Sequence, residues 1–153
     1  MSDVVVLPIW KNAVNNFIIK GSKPGDLISK SWLMREFGIE EPKTMSELQK
    51  AQLKFMGCMN KFQTELLEEH QIALKTVQGV GYEVVAPEDQ TRFGLVAGVR
   101  AIAKAITATE RTVANVKVDS LTDAQRQEHS DGLAKVANMQ SMFSRRRLLG
   151  RLK

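Results

Sequence analysis

LKTVQGVGYEVVAP, residues 74–87, breaks the helical period of the chain around it. Ala73 to Val77 and Tyr82 to Val85 are short runs rich in β-branched and aromatic residues, which suits strands. Gln78-Gly79-Val80-Gly81 lies between them. Its two glycines permit the positive φ angles of a tight connection. A β-hairpin is therefore expected, with Pro87 ending its second strand. Tyr82 offers an amphipathic anchor beneath the hairpin, and Val77, Val84 and Val85 supply strand-type packing.

Upstream, the apolar residues recur at helical spacing. Trp10, Val14, Phe17 and Ile18 predict a first helix from Ile9 to Ile19, closed by Gly21, Pro24 and Gly25. Leu27, Ile28, Trp32, Leu33 and Phe37 predict a second, short helix, capped by Asp26 or Ser29 and stopped by Gly38. A long third helix begins at Thr44 or Ser46. Glu47 stands three residues after Thr44, as a capping box requires. Leu48, Phe55, Met56, Met59, Phe62, Leu66 and Leu67 carry this helix to Glu69, with a break expected near Gly57.

Downstream, residues 92–118 return to helix, with Leu95, Val99, Ile102, Ile106, Thr109 and Val113 in one apolar stripe. After a break at residues 119–123, a last helix carries Leu133, Val136, Met139 and Phe143 and runs into a basic tail. Mainly helical stripes with few aromatics suit a hairpin of helices or a dimer interface. Leu95, Val99, Ile102, Ile106, Val113, Val136 and Phe143 are accordingly the expected partner-binding residues. The fold class that follows is mainly α with a small β-hairpin. Three helices and a two-stranded wing give a winged helix-turn-helix over residues 1–90, followed by a helical pair over residues 91–153.

The hairpin also carries a resemblance. Thr76, Val77, Gly79, Gly81 and Tyr82 match the Thr-Val-x-Gly-x-Gly-Tyr sequence of the response-regulator type of winged-helix DNA-binding domain. GDLISKSWLMREFGI (residues 25–39) and ELLEEHQIALKTVQGVGYEVV (residues 65–85) together resemble small phage and prophage winged-helix proteins with a C-terminal helical extension. The likeness spans Lys20 to Pro87. It implies a DNA-binding module and, for a phage-encoded chain, residence in the host cell cytoplasm.

Charge is distributed unevenly. The net charge is +5. Residues 1–91 hold 10 Lys/Arg against 12 Asp/Glu, while residues 92–153 hold 12 against 5. Arg145, Arg146, Arg147, Arg151 and Lys153 crowd the last nine residues without an acid. Phosphate neutralisation by Lys and Arg supplies most non-specific DNA affinity, so this tail is the expected electrostatic footprint. Lys54, Lys61, Gln63, Thr64, Lys75 and Gln78 are the expected contacts from the third helix and the wing. Glu65, Glu68 and Glu69 oppose that assignment. Facing outward, they favour a protein partner; paired with cations, they leave DNA as the partner.

Other chemistries lack their residues. A single cysteine, Cys58, excludes an internal disulfide and zinc-finger spacings. His70 and His129, 59 positions apart, do not suggest a metal site. No phosphate-binding loop occurs, and Gly79 and Gly81 lack the third glycine of a dinucleotide fingerprint. No enzyme activity and no cofactor are expected. No apolar run reaches the roughly 18 residues of a membrane span, and the N-terminus lacks the basic start of a signal peptide. Sequence alone thus predicts a cytoplasmic protein, a homodimer through its helical pair. It would bind double-stranded DNA stoichiometrically, in transcription regulation or another DNA transaction. The alternative is a factor that binds a host protein of nucleic-acid metabolism on the same fold.

Overall fold

The computed structural model describes residues 6–150, without the side chain of Arg145. The chain divides into two compact units, Met1–Gln90 and Thr91–Lys153.

In the first unit, Pro8 precedes α1 (Ile9–Lys20), and Gly21 closes it in the left-handed conformation at φ 70°. The chain then enters β1 (Leu27–Ser29), not a helix. Only Ile28 of this strand is buried. Ser29 caps α2 (Lys30–Glu36), its side chain accepting the Trp32 N–H. Of the two caps expected for the second helix, Ser29 is the one used. Leu27 and Ile28, expected on the apolar face of that helix, pair with Glu83 and Tyr82 instead.

Helix α3 runs unbroken from Met45 to His70. Its start is the capping box expected from Thr44 and Glu47. Thr44 Oγ1 accepts the Glu47 N–H at 3.2 Å, and Glu47 Oε2 accepts the N–H groups of Thr44 and Lys43 at 3.2 and 2.8 Å. Gly57 does not break α3. It faces open space, and an exposed helical glycine costs only about 1 kcal/mol against alanine. The neighbouring half-buried Phe55 and buried Met59 hold the helix on the core.

Strands β2 (Leu74–Val77) and β3 (Gly81–Val84) form the expected hairpin. All pairing is antiparallel and the sheet order is β1-β3-β2. One helix, a strand, a helix pair and a returning hairpin make the winged-helix arrangement. The core lies between α1, α2, α3 and this sheet, and Phe62 stands at its centre. Phe17 and Phe37 meet Phe62 edge-on at centroid distances of 5.9 and 5.8 Å. Leu33, Leu66, Ala13 and Val14 fill the space around them.

Gly81 is required where β3 meets β1. Its φ is 147°, and a Cβ there would drive into the Ile28 carbonyl oxygen. Gly81→Ala is expected to cost about 2–3 kcal/mol, from backbone strain and displacement of β1. Urea denaturation checks this; a loss below about 0.5 kcal/mol would contradict the close approach.

The second unit contains most of α4 (Pro87–Ala114), a 3-10 turn (Val118–Ser120), α5 (Asp123–Met142) and α6 (Arg145–Leu149). Helix α4 begins five residues before the expected position 92. Pro87 suits a first helical position, and Glu88 and Asp89 complement the helix dipole there. The last helix does not run continuously into the tail: α5 ends at Met142, and Ser144 precedes the separate α6. Thr122 and Gln125 form a second capping box at the start of α5.

Candidate nucleic-acid interface

Helix α3 is about 39 Å long at 1.5 Å per residue. Its buried residues are Met59, Phe62 and Leu66. None from Met45 to Lys54 is buried. The core thus grips the C-terminal half of α3 and leaves the N-terminal half presented to solvent. In helix-turn-helix proteins it is the N-terminal end of the recognition helix that contacts base edges.

The wing stands beside α3. A groove of about 340 Å³ lies between them, lined by Lys30, Phe55 and the hairpin tip from Thr76 to Tyr82. A second groove of about 280 Å³ follows along α3 past Leu48, Gln52 and Met56, and it shares Lys30 and Phe55 with the first. Lys30 Nζ lies 5.4 Å from the centre of the Phe55 ring. Burial pushes the Tyr82 phenol above its ordinary pKa, so it stays neutral at physiological pH.

The contacts expected from the third helix and the wing lie on those elements, and several of them are engaged within the fold. Lys54 is exposed, yet its ammonium donates to the Gly38 carbonyl at 3.2 Å, tying α3 to the end of α2. Lys75 pairs across the hairpin with Glu83 at 3.2 Å. Thr64 lies exposed on the C-terminal half of α3, and its hydroxyl donates to the Asn60 carbonyl at 2.8 Å. Gln63 is half-buried, while Lys61 and Gln78 are exposed. Arg146 and Arg147 are exposed on α6. Arg151 and Lys153, and the side chain of Arg145, lie outside the described residues.

Glu40 and Glu41 stand exposed just before α3, and the other acids near it separate into two groups. Glu65 is tied to Lys11 of α1 at 3.4 Å. Glu47 is held by the capping box and Glu83 by Lys75. Glu68 and Glu69 do face solvent, but in the last turn of α3, beyond the core-gripped segment. Sequence did not single out Lys30 and Lys50. Lys50, Lys54 and Lys61 recur at intervals of four and seven, which places them on one side of the helix. No acid pairs with Lys30, Lys50 or Lys61 among the described residues. The capping box could have located Lys50, because it fixes which residues occupy the exposed first turns.

The second unit buries little. Val99 and Val136 are its only buried hydrophobic residues among those described. Ile106 and Val113 are half-buried. Leu95, Ile102 and Phe143 are exposed by 47, 38 and 39%. Helices α4 and α5 do touch: Gln140 Nε2 donates to Glu110 Oε2 at 2.7 Å, and a Cβ on Gly132 would meet Val113 at 3.9 Å. Leu95, Val99, Ile102, Ile106, Thr109 and Val113 alternate steps of four and three, the period of a coiled-coil seam.

Among the described residues, no three His, Cys, Asp or Glu cluster as a metal site would require. Among them, too, no helix is long and apolar enough to cross a membrane. A scan against family models found no match, and searches of curated proteins and of solved structures found none either.

Proposed function

We propose that this chain is a small winged-helix protein of the phage type that binds double-stranded DNA stoichiometrically, without catalysis or cofactor. It acts in the host cytoplasm, in transcription regulation or another DNA transaction. The N-terminal half of α3 enters the major groove, and the hairpin tip flanks it. Arg146 and Arg147, with the rest of the basic C-terminus, add phosphate contacts. The half-covered seam of α4 and α5 pairs with that of a second copy, because a unit with two buried apolar residues among those described has little core of its own.

One observation supports this reading above the others: Lys30, Lys50 and Lys61 stand exposed on and beside α3 with no acid paired to them among the described residues. Glu47, Glu65 and Glu83 are held within the fold, Lys30 lines both grooves beside α3, and Lys50 shares the groove on its side of the helix with the exposed Glu40 and Glu41. A second reading, binding of a host protein, draws support from Glu68 and Glu69, which face solvent, and from Leu53 and Met56, exposed by 72 and 62% on α3.

The test is fluorescence anisotropy with mixed-sequence duplex DNA over a range of salt, on the full chain and on a chain ending at Ser144. Full-length protein is expected to bind with a steep salt dependence. Truncation should flatten the log–log slope by about 0.9 for each phosphate that the tail neutralises, and leave weaker binding by the first unit. Absence of binding by both, even at low salt, would overturn the DNA reading in favour of a protein partner. Sedimentation equilibrium on the same samples checks the dimer.

A further inference from the structure

We infer that the DNA face of α3 selects A·T-rich over G·C-rich duplex; this rests on the DNA-binding function proposed for the chain. Gln49, Gln52, Leu53, Met56 and Asn60 each have another of the set three or four positions away, so they share one side of the helix. All five are exposed. They span about 16 Å of helix, the length of roughly five base pairs.

The chemistry of this stripe is one-sided. Glutamine and asparagine amides match the N6 and N7 edge of adenine, and apolar groups pack on the thymine methyl. Guanine is read chiefly by arginine or lysine, and cytosine by carboxylates. The stripe contains none of these. Arg35 is the only arginine in residues 1–90, and it lies in the last turn of α2 rather than on α3. Glu47, the carboxylate at the start of α3, is consumed by the capping box. Lys54 is drawn to the Gly38 carbonyl. Lys30, Lys50 and Lys61 remain as unpaired cations near the stripe among the described residues, and a point charge serves a phosphate as readily as a guanine. The hairpin tip adds only Gln78, Gly79 and Val80, none of them charged.

The test compares two 20-base-pair duplexes, one purely A·T in mixed order and one purely G·C, titrated with the full chain at moderate salt. The A·T duplex is expected to bind about tenfold tighter or more. The double variant Gln49→Ala/Gln52→Ala should erase most of that preference while keeping the salt slope, since it removes no cation. Both positions are exposed, and circular dichroism confirms that the variant folds. Equal affinities, or tighter binding to G·C, would overturn the selectivity while leaving DNA binding intact. A preference that survives the double variant would also overturn it, by placing discrimination elsewhere than on α3. Failure to bind either duplex would overturn the DNA reading itself, and the selectivity with it.

Discussion

Phe62→Ala is expected to cost the first unit about 3–5 kcal/mol, the usual penalty for deleting a fully buried aromatic ring. Phe62 is wholly buried and meets both Phe17 and Phe37 edge-on. Each aromatic pair adds about 0.5–1.5 kcal/mol beyond area burial. A unit of this size has roughly 5–13 kcal/mol of stability in all, so the variant retains a fraction of it. Both tryptophans of the chain, Trp10 and Trp32, lie in this unit. Trp32 sits 6.3 Å from Phe17. Tryptophan fluorescence in a urea titration therefore reports the destabilisation without interference from the second unit. Phe62→Leu, which refills much of the volume, should cost less than half as much. A cost below about 1.5 kcal/mol for the alanine variant would mean that Phe62 does not sit at the centre of the core.

Replacing Lys30, Lys50 and Lys61 together with alanine should weaken DNA binding on the order of a few hundredfold at about 0.1 M salt. The figure follows from counterion release, which makes each phosphate contact worth roughly eightfold at that concentration. The salt slope should fall by about 2.7 per protomer in the same titration. Stability should change little, because all three side chains are exposed and surface substitutions usually stay within about 0.5 kcal/mol each. Lys30 is the one with something to lose, its place over the Phe55 ring. Unchanged affinity and slope in a folded triple variant would remove α3 and its surroundings from the DNA interface.

Local signals in the sequence carried most of the fold. Thr44 and Glu47 marked the start of α3, and Gly79 and Gly81 marked the hairpin, because caps and turns are decided by residues close in the chain. Strand β1 escaped for the opposite reason. Three residues are too few for a period, and Leu27–Ser29 become a strand only through Gly81–Glu83, more than fifty positions away. Ser29 was the available clue, since a residue that caps a helix leaves those before it outside. The candidate site was less legible. Sequence could rank Lys54 and Lys75 as cations, but the Gly38 carbonyl and the Glu83 carboxylate that engage them come from other elements. Lys30 looked like an ordinary helix residue until the wing lay beside it.

The uneven anchoring of α3 has a dynamic consequence. From Met45 to Lys54 no residue is buried, so opening these turns breaks backbone hydrogen bonds but exposes almost no core. Their amide hydrogens should exchange with solvent far sooner than those of Met59 to Leu66, whose release requires unfolding of the whole unit. The part of the helix proposed to meet DNA is thus the part expected to open first, with Gly57 at the boundary. Association must first quiet that motion, and the entropy surrendered there is subtracted from affinity. Alanine at Gly57, by stiffening the joint, would tighten binding without touching the partner.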